Sequence, residues 1–384
     1  MDYVLFGLAW VGHAYLLMVL VNLVYSHPWH RLFLKAFRAS MGLLILVGPP
    51  LFAWGIGTHI TAILCDSFHS PKYIAPAIYL AIALFMACIV LPYFTLSRVF
   101  RPRPSPIRDE KTETIDVAKA LGEPPYGDGE TRHMAHLPLN NIFNVDFTTL
   151  TISLPNLPAA WDGLTLLQLG DMHFIGTPSK AFFDFVIERC MAEGVPDLVM
   201  ITGDIVDTDT HHEWIAPILG QLKWKVGAFA ILGNHDWWQD PELVRRHLRQ
   251  IGIQVVSNAW VQIDVRGEKL TVLGHEGPWF RPDPDLTQCP AEGFRILLSH
   301  TPDNIRWAQR NDVSLMLSGH NHGGQVRLPL LGSIFVPSKY SRRYDMGTFF
   351  EPPTLLHVNR GLSGKDPLRF RCNPQVTRFV FKCG

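Results

Sequence analysis

The 384-residue chain has neither an excess of charge of one sign nor a cysteine framework. Its 34 lysine and arginine residues balance 34 aspartate and glutamate residues, so the net charge is zero. The chain lacks the excess of positive charge that is typical of nucleic-acid-binding proteins, and no nucleic-acid partner is expected. The six cysteines form no close pairs, which argues against a disulfide-rich secreted domain and is typical of a reducing compartment. No internal repeat or low-complexity tract is present, which excludes repeat architectures.

Charged residues are also absent from three long stretches near the N-terminus. Each stretch exceeds the roughly 20 residues that a helix needs to cross about 30 Å of hydrocarbon. A cleaved signal peptide is disfavoured, because Asp2 is the only charge before the first stretch and no basic region precedes it. We therefore expect three transmembrane helices within residues 1–98, over residues 3–25, 39–64 and 73–97.

The middle stretch contains Pro49 and Pro50. Two prolines remove two backbone donors from a helix and are expected to kink or break it. A re-entrant hairpin that does not cross the membrane fully is therefore an alternative for this span.

Positive charge is distributed unevenly around these stretches. The second connection holds only Lys72, whereas the first connection and the residues after the third stretch are basic. The positive-inside rule then places the N-terminus outside and the remainder of the chain in the cytoplasm. The residues that carry this signal are Arg31, Lys35, Arg38, Arg98, Arg101, Arg103 and Arg108.

Residues 99–149 predict a juxtamembrane linker. From about Arg101 to His136 the sequence is rich in proline, glycine and charge, which favours a partly disordered segment. Its arginines would meet anionic lipid of the inner leaflet, or would serve only as the topology signal. Residues 150–384 suffice for one globular domain, and their apolar strand-like runs alternate with helical stretches in an α/β pattern.

Five short motifs between Gly170 and His322 carry chemistry: GDMH, GDIVD, GNHD, SH and GHNH, in that order. Each follows a short apolar run that is typical of a buried strand. Because strand ends share one edge of a sheet and glycine permits sharp turns, the polar side chains are expected to converge. Oxygen and nitrogen donors of this kind suit manganese, zinc, iron or magnesium. The candidate metal ligands are Asp171, His173, Asp204, Asn234, His300, His320 and His322, with His235 beside them.

From about Leu150 onward the chain resembles the calcineurin-like metallophosphoesterases, on the order and content of these five motifs. The runs GHNHGGQVRLPLLG and NRGLSGKDPLRFRCNPQV are most similar to a bacterial membrane-associated branch, which includes phosphodiesterases and enzymes that split UDP-2,3-diacylglucosamine. GDMH and GHNH replace the commoner SDLH and GHTH without changing a ligand. The resemblance implies a four-layer α-β-β-α sandwich. Together with the apolar helices and the charge asymmetry, it predicts a bacterial inner-membrane protein with its catalytic domain in the cytoplasm.

The resemblance also implies residue roles. It assigns one ion to Asp171, His173, Asp204 and His322 and a second ion to Asp204, Asn234, His300 and His320, with manganese favoured. Two ions about 3.5 to 4 Å apart share a water whose pKa falls towards about 7, and the resulting hydroxide attacks phosphorus. His235 is expected to face the substrate, where it stabilises charge or protonates the leaving oxygen, and Asp236 is the candidate to orient it.

The sequence leaves the substrate open. GDIVDTDT lacks the Arg-Gly that usually follows this motif in protein phosphatases, which disfavours a phosphoprotein. A membrane anchor favours a lipid-linked phosphodiester or pyrophosphate, with Trp237, Trp238 and Pro278 to Phe280 as the nearest apolar contacts for acyl chains. The alternatives are a general phosphodiesterase or phosphatase on soluble substrates and an inactive metal-binding sensor module. A transporter is disfavoured, because three helices without charged residues offer little pathway.

Overall fold

The computed structural model describes residues 1–67 and 69–383. These residues form two compact units. The membrane unit comprises residues 1–102 together with residues 329–343, and the catalytic unit comprises residues 103–328 and 344–384. The boundary between the two units lies near residue 102, so residues 103–149, which were predicted to form a linker, belong to the catalytic unit. Residue 384 lies outside the described residues.

The membrane unit contains three helical stretches that are long and apolar enough to cross a membrane. Two agree closely with the stretches predicted at residues 3–25 and 73–97. The prediction for 39–64 was shifted, because the helix begins at Arg31 and the chain leaves it after Gly55. Basic residues in its first turns did not prevent helix formation, since long basic side chains extend towards water. The helices are α1 (Asp2–Tyr25), α2 (Arg31–Gly55), α3 (Ile60–Asp66), α4 (Pro71–Phe85) and α5 (Leu91–Val99), with a π-helical turn (Met86–Val90) between the last two.

Helix α2 runs through Pro49 and Pro50, so of the two expected effects, a kink or a break, the break does not occur. Proline at position 49 leaves the carbonyl of Ile45 without its usual helical donor. The indole Nε1–H of Trp10 donates to this carbonyl at 2.9 Å. A neighbouring helix thus supplies the missing hydrogen bond, as helices in a hydrocarbon environment require.

The first sheet of the catalytic unit has seven strands in the order β1-β2-β15-β3-β4-β5-β6. The adjacent strands β3, β4 and β5 are parallel, so their carboxyl ends lie at the same edge. The strands are β1 (Ile107–Asp116), β2 (Asn144–Ile152), β3 (Thr165–Leu169), β4 (Leu198–Ile201), β5 (Gly227–Ala230), β6 (Gln254–Val255) and β15 (Gln375–Phe381).

The second sheet has six strands in the order β13-β14-β10-β9-β8-β7, and β9 and β10 are parallel. Its strands are β7 (Trp260–Val265), β8 (Glu268–His275), β9 (Phe294–Ser299), β10 (Leu315–Ser318), β13 (Gly347–Glu351) and β14 (Thr354–Val358). The short strands β11 (Arg327–Leu328) and β12 (Gly332–Ser333) lie outside both sheets. The helices are α6 (Val117–Leu121), α7 (Lys180–Ala192), α8 (Ile215–Leu219), α9 (Asn234–Trp237), α10 (Pro241–Gln250) and α11 (Ile305–Arg310), with 3-10 turns at Arg132–His136, Ala159–Trp161, Asp209–Trp214, Pro302–Asn304, His322–Gly324 and Ser341–Tyr344.

Alternation of side chains along the strands builds a layered core. On β3, Leu166 belongs to the cluster between the two sheets, whereas Leu167 and Leu169 belong to the cluster beneath α7, α8 and α10. A two-residue period of this kind buries both faces of the sheet. Helix α11 packs on β14 of the second sheet. The mixed α/β fold is therefore the expected four-layer α-β-β-α sandwich.

Part of the predicted linker is a strand of the first sheet. Strand β1 pairs antiparallel with β2 from Ile107 to Asp116, so the expectation of a partly disordered linker from about Arg101 to His136 was wrong for these residues. The sequence IRDEKTETID lacks apolar alternation because β1 is an edge strand whose residues are almost all exposed. Charged side chains on an edge strand hinder its pairing with strands of other molecules. They also remove the alternation of apolar and polar residues by which a strand is predicted from sequence.

His357 on β14 is a buried polar group within this core. Its Nδ1 lies 2.8 Å from Thr348 Oγ1, and its Nε2 lies 3.1 Å from Thr377 Oγ1. Burial, with a smaller contribution from Arg360, lowers the pKa of His357 from 6.5 to about 3. The imidazole is therefore neutral in the folded chain at neutral pH.

Candidate metal centre

All seven predicted ligands follow strands at the edge where the five motifs were expected to meet. Asp171 and His173 follow β3, Asp204 follows β4 and Asn234 follows β5. In the second sheet, His300 follows β9, and His320 and His322 follow β10. Parallel neighbours deliver these side chains to one place, because the strands end side by side.

Five of these residues have left-handed backbone conformations: Asp171, His173, Asp204, His320 and His322 have φ between 44° and 68°. Such conformations are costly for residues with side chains and concentrate at functional sites. Glycine neighbours make the approach possible. A Cβ on Gly233 would lie 2.2 Å from Asp204 Oδ1, and a Cβ on Gly319 would lie 2.2 Å from Asp171 Oδ2.

The side chains form two groups that share one carboxylate. Donor atoms of Asp171, His173, Asp204 and His322 lie within 4.8 Å of one another, and so do those of Asp204, His300 and His320. Asn234 joins the second group, since its Oδ1 lies 3.0 Å from His300 Nε2. The structure thus brings every predicted ligand into one buried cluster around Asp204.

Three imidazoles of this cluster turn their Nε2 atoms inward. The Nδ1 atom of His173 lies 2.9 Å from an Asp207 carboxylate oxygen, that of His322 lies 3.0 Å from the Ser363 carbonyl, and that of His300 lies 2.8 Å from the Thr202 carbonyl. Because oxygens of this kind accept, each Nδ1 donates its hydrogen. In neutral imidazoles the Nε2 atoms then carry lone pairs.

These lone pairs face other acceptors. His173 Nε2 lies 3.1 Å from His322 Nε2, and His300 Nε2 lies 3.2 Å from Asp204 Oδ2. Asp204 Oδ2 is buried and receives no hydrogen bond from the residues that the structure describes. Acceptors that face acceptors in a buried site require a positive charge between them.

The pKa values of these buried groups also indicate that the cluster favours additional positive charge. Burial opposes charge on His173, but Asp207, Asp204 and Asp171 outweigh it and raise the pKa of His173 to about 9. Burial also opposes charge on His300, and Asp204 raises its pKa to about 9. Burial raises the pKa of Asp171 to about 6. Carboxylates and imidazoles in one buried cluster therefore favour added cations, whether these are protons or metal ions.

The donor set fits two divalent cations. It contains carboxylate and amide oxygens and imidazole nitrogens, without a thiolate, and second-sphere acceptors orient the imidazoles as they do in protein metal sites. The first group of four would hold one ion, and Asp204, Asn234, His300 and His320 would hold the other. A pair of such ions supplies a polarised phosphoryl group and a nucleophile derived from water at neutral pH.

His235 lies beside this cluster and is held by Asp207. The His235 Nδ1 atom is hydrogen-bonded to Asp207 Oδ1, and the His235 backbone N–H donates to Asp204 Oδ1 at 2.8 Å. Burial would raise the pKa of Asp207, but His235 and His173 outweigh it and hold the pKa well below the ordinary range. The carboxylate of Asp207 therefore stays ionised and binds two imidazoles, one in the ligand group and one beside it.

Asp236 does not have the role expected from its position next to His235. Its Oδ1 accepts the backbone N–H groups of Ile205 at 2.9 Å and Val206 at 3.1 Å, and its Oδ2 accepts that of Gly233 at 2.9 Å. Residue i+1 on a helical turn points away from residue i, which is why adjacency misled the prediction. Asp236 fixes the loops after β4 and β5, and Asp207 orients His235.

A buried arginine supports the loop that accepts from His322. Arg369 is fully buried, and its guanidinium donates to the Ser363 carbonyl, to the His322 carbonyl at 3.2 Å and to the Arg360 carbonyl at 2.8 Å. Arg369 was not among the predicted site residues, although it lies in the run NRGLSGKDPLRFRCNPQV that carries part of the resemblance.

Aromatic rings line the cluster on two sides. Trp279 is buried, with its ring centroid 5.5 Å from that of His300 and 4.8 Å from that of His320. Trp238 is half-buried, and its centroid lies 5.0 Å from that of His235. Trp237 is half-buried beside Trp238, 6.4 Å away between centroids. The expected apolar contacts are therefore next to the site, and Trp279 packs directly on two ligand histidines.

Comparison with known proteins agrees with this geometry. Residues 164–324 match the family model of the calcineurin-like phosphoesterases. The chain is 33% identical over 247 residues to the uncharacterized metallophosphoesterase YkuE of Bacillus subtilis, covering 62% of this chain and 86% of that protein. It is 29% identical to the phosphodiesterase YaeI of Escherichia coli, covering 55% of this chain and 80% of that protein. It is 25% identical to the UDP-2,3-diacylglucosamine pyrophosphatase LpxG of Chlamydia trachomatis, covering 60% and 87%. With its two shared-ligand groups and this similarity, the chain belongs to the calcineurin-like phosphoesterase family and is a phosphoesterase hydrolase.

Proposed function

We propose that the protein is a membrane-anchored, two-metal hydrolase of phosphodiester or pyrophosphate bonds in a lipid-linked substrate, with UDP-2,3-diacylglucosamine as the first candidate. The observation that carries the hydrolase part of the proposal is the buried pair of donor groups that share Asp204. The observation that favours a lipid-linked substrate is the presence of three long apolar helices in the same chain.

The residues around the reacting phosphorus would have different roles, either in binding the substrate or in proton transfer. The ligand set fixes where a phosphoryl oxygen can bind, and we assign manganese as the favoured ion on its mixed oxygen and nitrogen donors. His235, oriented through Nδ1 by Asp207, would present Nε2 towards the leaving oxygen or the equatorial charge. A proton donated there contributes typically about 100- to 10,000-fold to the rate.

A lipid-linked substrate is supported by the relatives and by physical chemistry. One relative is named a phosphodiesterase and another a UDP-2,3-diacylglucosamine pyrophosphatase. An enzyme confined to a bilayer meets lipid-borne substrates at a high local concentration, which is an effect of effective concentration alone. The half-buried Trp237 and Trp238 beside His235 would offer apolar contact to the substrate.

The substrate test uses the full chain in mixed micelles with manganese. The rates of hydrolysis of UDP-2,3-diacylglucosamine and of a soluble nitrophenyl diester are measured while detergent is added at constant total substrate. Dilution of the glycolipid within the micelle surface should lower its rate, whereas the rate on the soluble diester should stay constant. Asp204→Asn is the inactive control. Cleavage of the diester without any cleavage of the glycolipid would leave a general phosphodiesterase on soluble substrates as the function.

We further propose that the catalytic unit faces the cytoplasm of a bacterial cell. The basis is the charge asymmetry of the apolar helices and the positive-inside rule. A cysteine at Ser70 should react with an impermeant reagent from outside intact cells, and a reporter fused after Gly384 should be active only if it works in the cytoplasm. The opposite labelling pattern would exclude cytoplasmic UDP-sugars as substrates.

A further inference from the structure

Charge is separated between the two ends of the membrane unit. Its two carboxylates, Asp2 and Asp66, lie at the end where α1 begins, and Asp2 accepts from the backbone N–H of Thr61 at 3.1 Å. Lys72 belongs to the same end, at the start of α4. The opposite end, where α1 ends and α2 begins, holds every other lysine and arginine of the unit: Arg31, Lys35, Arg38, Arg98, Arg101, Lys339, Arg342 and Arg343.

Three of these cations come from residues 329–343, which we call the return segment. It lies between β11 and β13 in the chain but packs with the helices of the membrane unit. The side chain of Asn22, 1% exposed near the end of α1, donates to the Ile334 carbonyl at 3.1 Å and accepts the Val336 backbone N–H at 2.9 Å. Asn22 also donates to Ser341 Oγ at 3.1 Å. The buried Asn22 amide thus makes two hydrogen bonds to the backbone of the return segment and one to the Ser341 hydroxyl.

Further contacts hold the return segment at the basic end. Phe335 lies edge-to-face with Tyr25, at 5.2 Å between centroids. The guanidinium of Arg342 lies over the ring of Tyr15, and the guanidinium of Arg98 donates to the Leu330 carbonyl at 3.3 Å. The return segment is therefore part of the surface formed by the helix ends.

This surface combines exposed apolar and exposed basic side chains. Leu330 of the return segment is 88% exposed, and Phe100 after α5 is 76% exposed. Lys339 and Arg343 of the return segment are also exposed. Apolar side chains beside a block of lysine and arginine without carboxylates match the boundary of a bilayer, where hydrocarbon meets anionic headgroups.

We propose that the return segment and the basic helix ends form a binding surface for anionic phospholipid headgroups. The lysine and arginine side chains would pair with lipid phosphates, and Leu330 would enter the apolar layer beneath them. The surface is made by the membrane unit alone, so it does not depend on which phosphate ester the catalytic unit cleaves. The exposed Leu330 beside the cations favours a lipid over free phosphate as the ligand, because free phosphate has no apolar part that Leu330 could contact.

The test measures lipid preference of the full-length protein by native mass spectrometry from a neutral detergent. The protein is mixed with equal amounts of phosphatidylglycerol and phosphatidylcholine, and the ratio of the two bound lipids is recorded. The double variant Lys339→Gln, Arg343→Gln removes two exposed cations. Lys72→Gln removes one cation at the opposite end and is the matched control.

We expect the unaltered protein and Lys72→Gln to prefer phosphatidylglycerol. The double variant should lose roughly 10- to 30-fold of this preference, since each cation near an anionic surface contributes about fivefold. Added inorganic phosphate, at constant total ionic strength, should leave the ratio unchanged, because it has no apolar part and cannot replace the lipid on this surface. Equal binding of the two lipids to the unaltered protein, an equal loss in Lys72→Gln, or displacement of the lipid by inorganic phosphate would each overturn the proposal.

Discussion

Replacement of Asp207 by asparagine tests the geometry of the site most directly. Asp207 binds two imidazoles, that of His173 at 2.9 Å and that of His235, although it stands 34 residues from the first and 28 residues from the second in the chain. Asparagine has nearly the same shape, but its amide cannot supply a carboxylate charge, and its NH₂ group would face an N–H donor. The substitution therefore removes one charge and turns at least one of the two hydrogen bonds into a repulsive contact.

The expected loss follows from the role of His235. A positioned acid or charge-stabilising group contributes typically about 100- to 10,000-fold to the rate, so kcat should fall by about two to four orders of magnitude when Asp207 no longer orients His235. Loss of the bond to His173 should also weaken metal retention, because an oriented imidazole binds its metal ion more tightly, typically by about 10- to 100-fold.

The assay is hydrolysis of a soluble nitrophenyl diester by the full chain, with metal content measured on the same samples. Asp236→Asn is the matched control, since it is a second fully buried aspartate of the neighbouring loops whose hydrogen bonds reach only backbone N–H groups. It should lower thermal stability more than it lowers kcat per folded, metal-loaded molecule. If Asp207→Asn kept its kcat within about threefold while Asp236→Asn lost it in folded protein, the assignment of Asp207 as the partner of His235 would be wrong.

Three further changes test other parts of the structure. Asp204→Asn should abolish hydrolysis more completely than loss of any ligand that belongs to only one of the two donor groups. Unaltered protein treated with a chelator should regain activity when manganese is added. Full activity in metal-free protein would contradict the two-metal site. His235→Ala should keep the metal content but lose about two to four orders of magnitude in turnover, whereas a parallel loss of metal would make His235 a ligand. His357 has a folded pKa of about 3, below its unfolded value of 6.5, so its contribution to stability is complete above pH 6.5 and is lost as the pH falls towards 3. Between pH 7 and pH 5 the unaltered protein should therefore lose about 2 kcal/mol more of its unfolding free energy than His357→Gln, and equal losses in denaturant titrations would show that His357 does not titrate in this way.

The cluster of candidate ligands could be predicted from the sequence because each member lies within four residues of the end of a strand. Buried parallel strands such as β3 and β4 are short apolar runs, and the position where a run stops at glycine marks the sheet edge. Asp171 and Asp204 are therefore located by their place in the chain as well as by their type. Because the two sheets pack face to face, His300 and His320 of the second sheet lie close to Asp204 of the first sheet.

The partner of His235 could not be predicted in the same way. Asp207 stands 28 residues from His235 in the chain, and their contact depends on how the loop after β4 turns back over the loop after β5. The motif GDIVD contained a second carboxylate, and this was the available signal. Adjacency in sequence favoured Asp236, but a short helix begins at Asn234 and directs that side chain to backbone N–H groups instead.

The segment between the helices and the first motif shows a different limit of sequence analysis. Composition separated residues 99–149 from the domain, yet the chain there uses its polar groups as structural parts. Asn140 donates to the Pro367 carbonyl at 2.8 Å and accepts the Arg369 backbone N–H at 2.9 Å, so the segment braces the loop whose Ser363 carbonyl accepts from His322. Hydrogen bonds between distant loops leave no periodic pattern, because they depend on backbone positions that only the folded sheet creates. Polar, proline-rich sequence next to an apolar helix thus forms an ordered support for the loop that orients the candidate ligand His322.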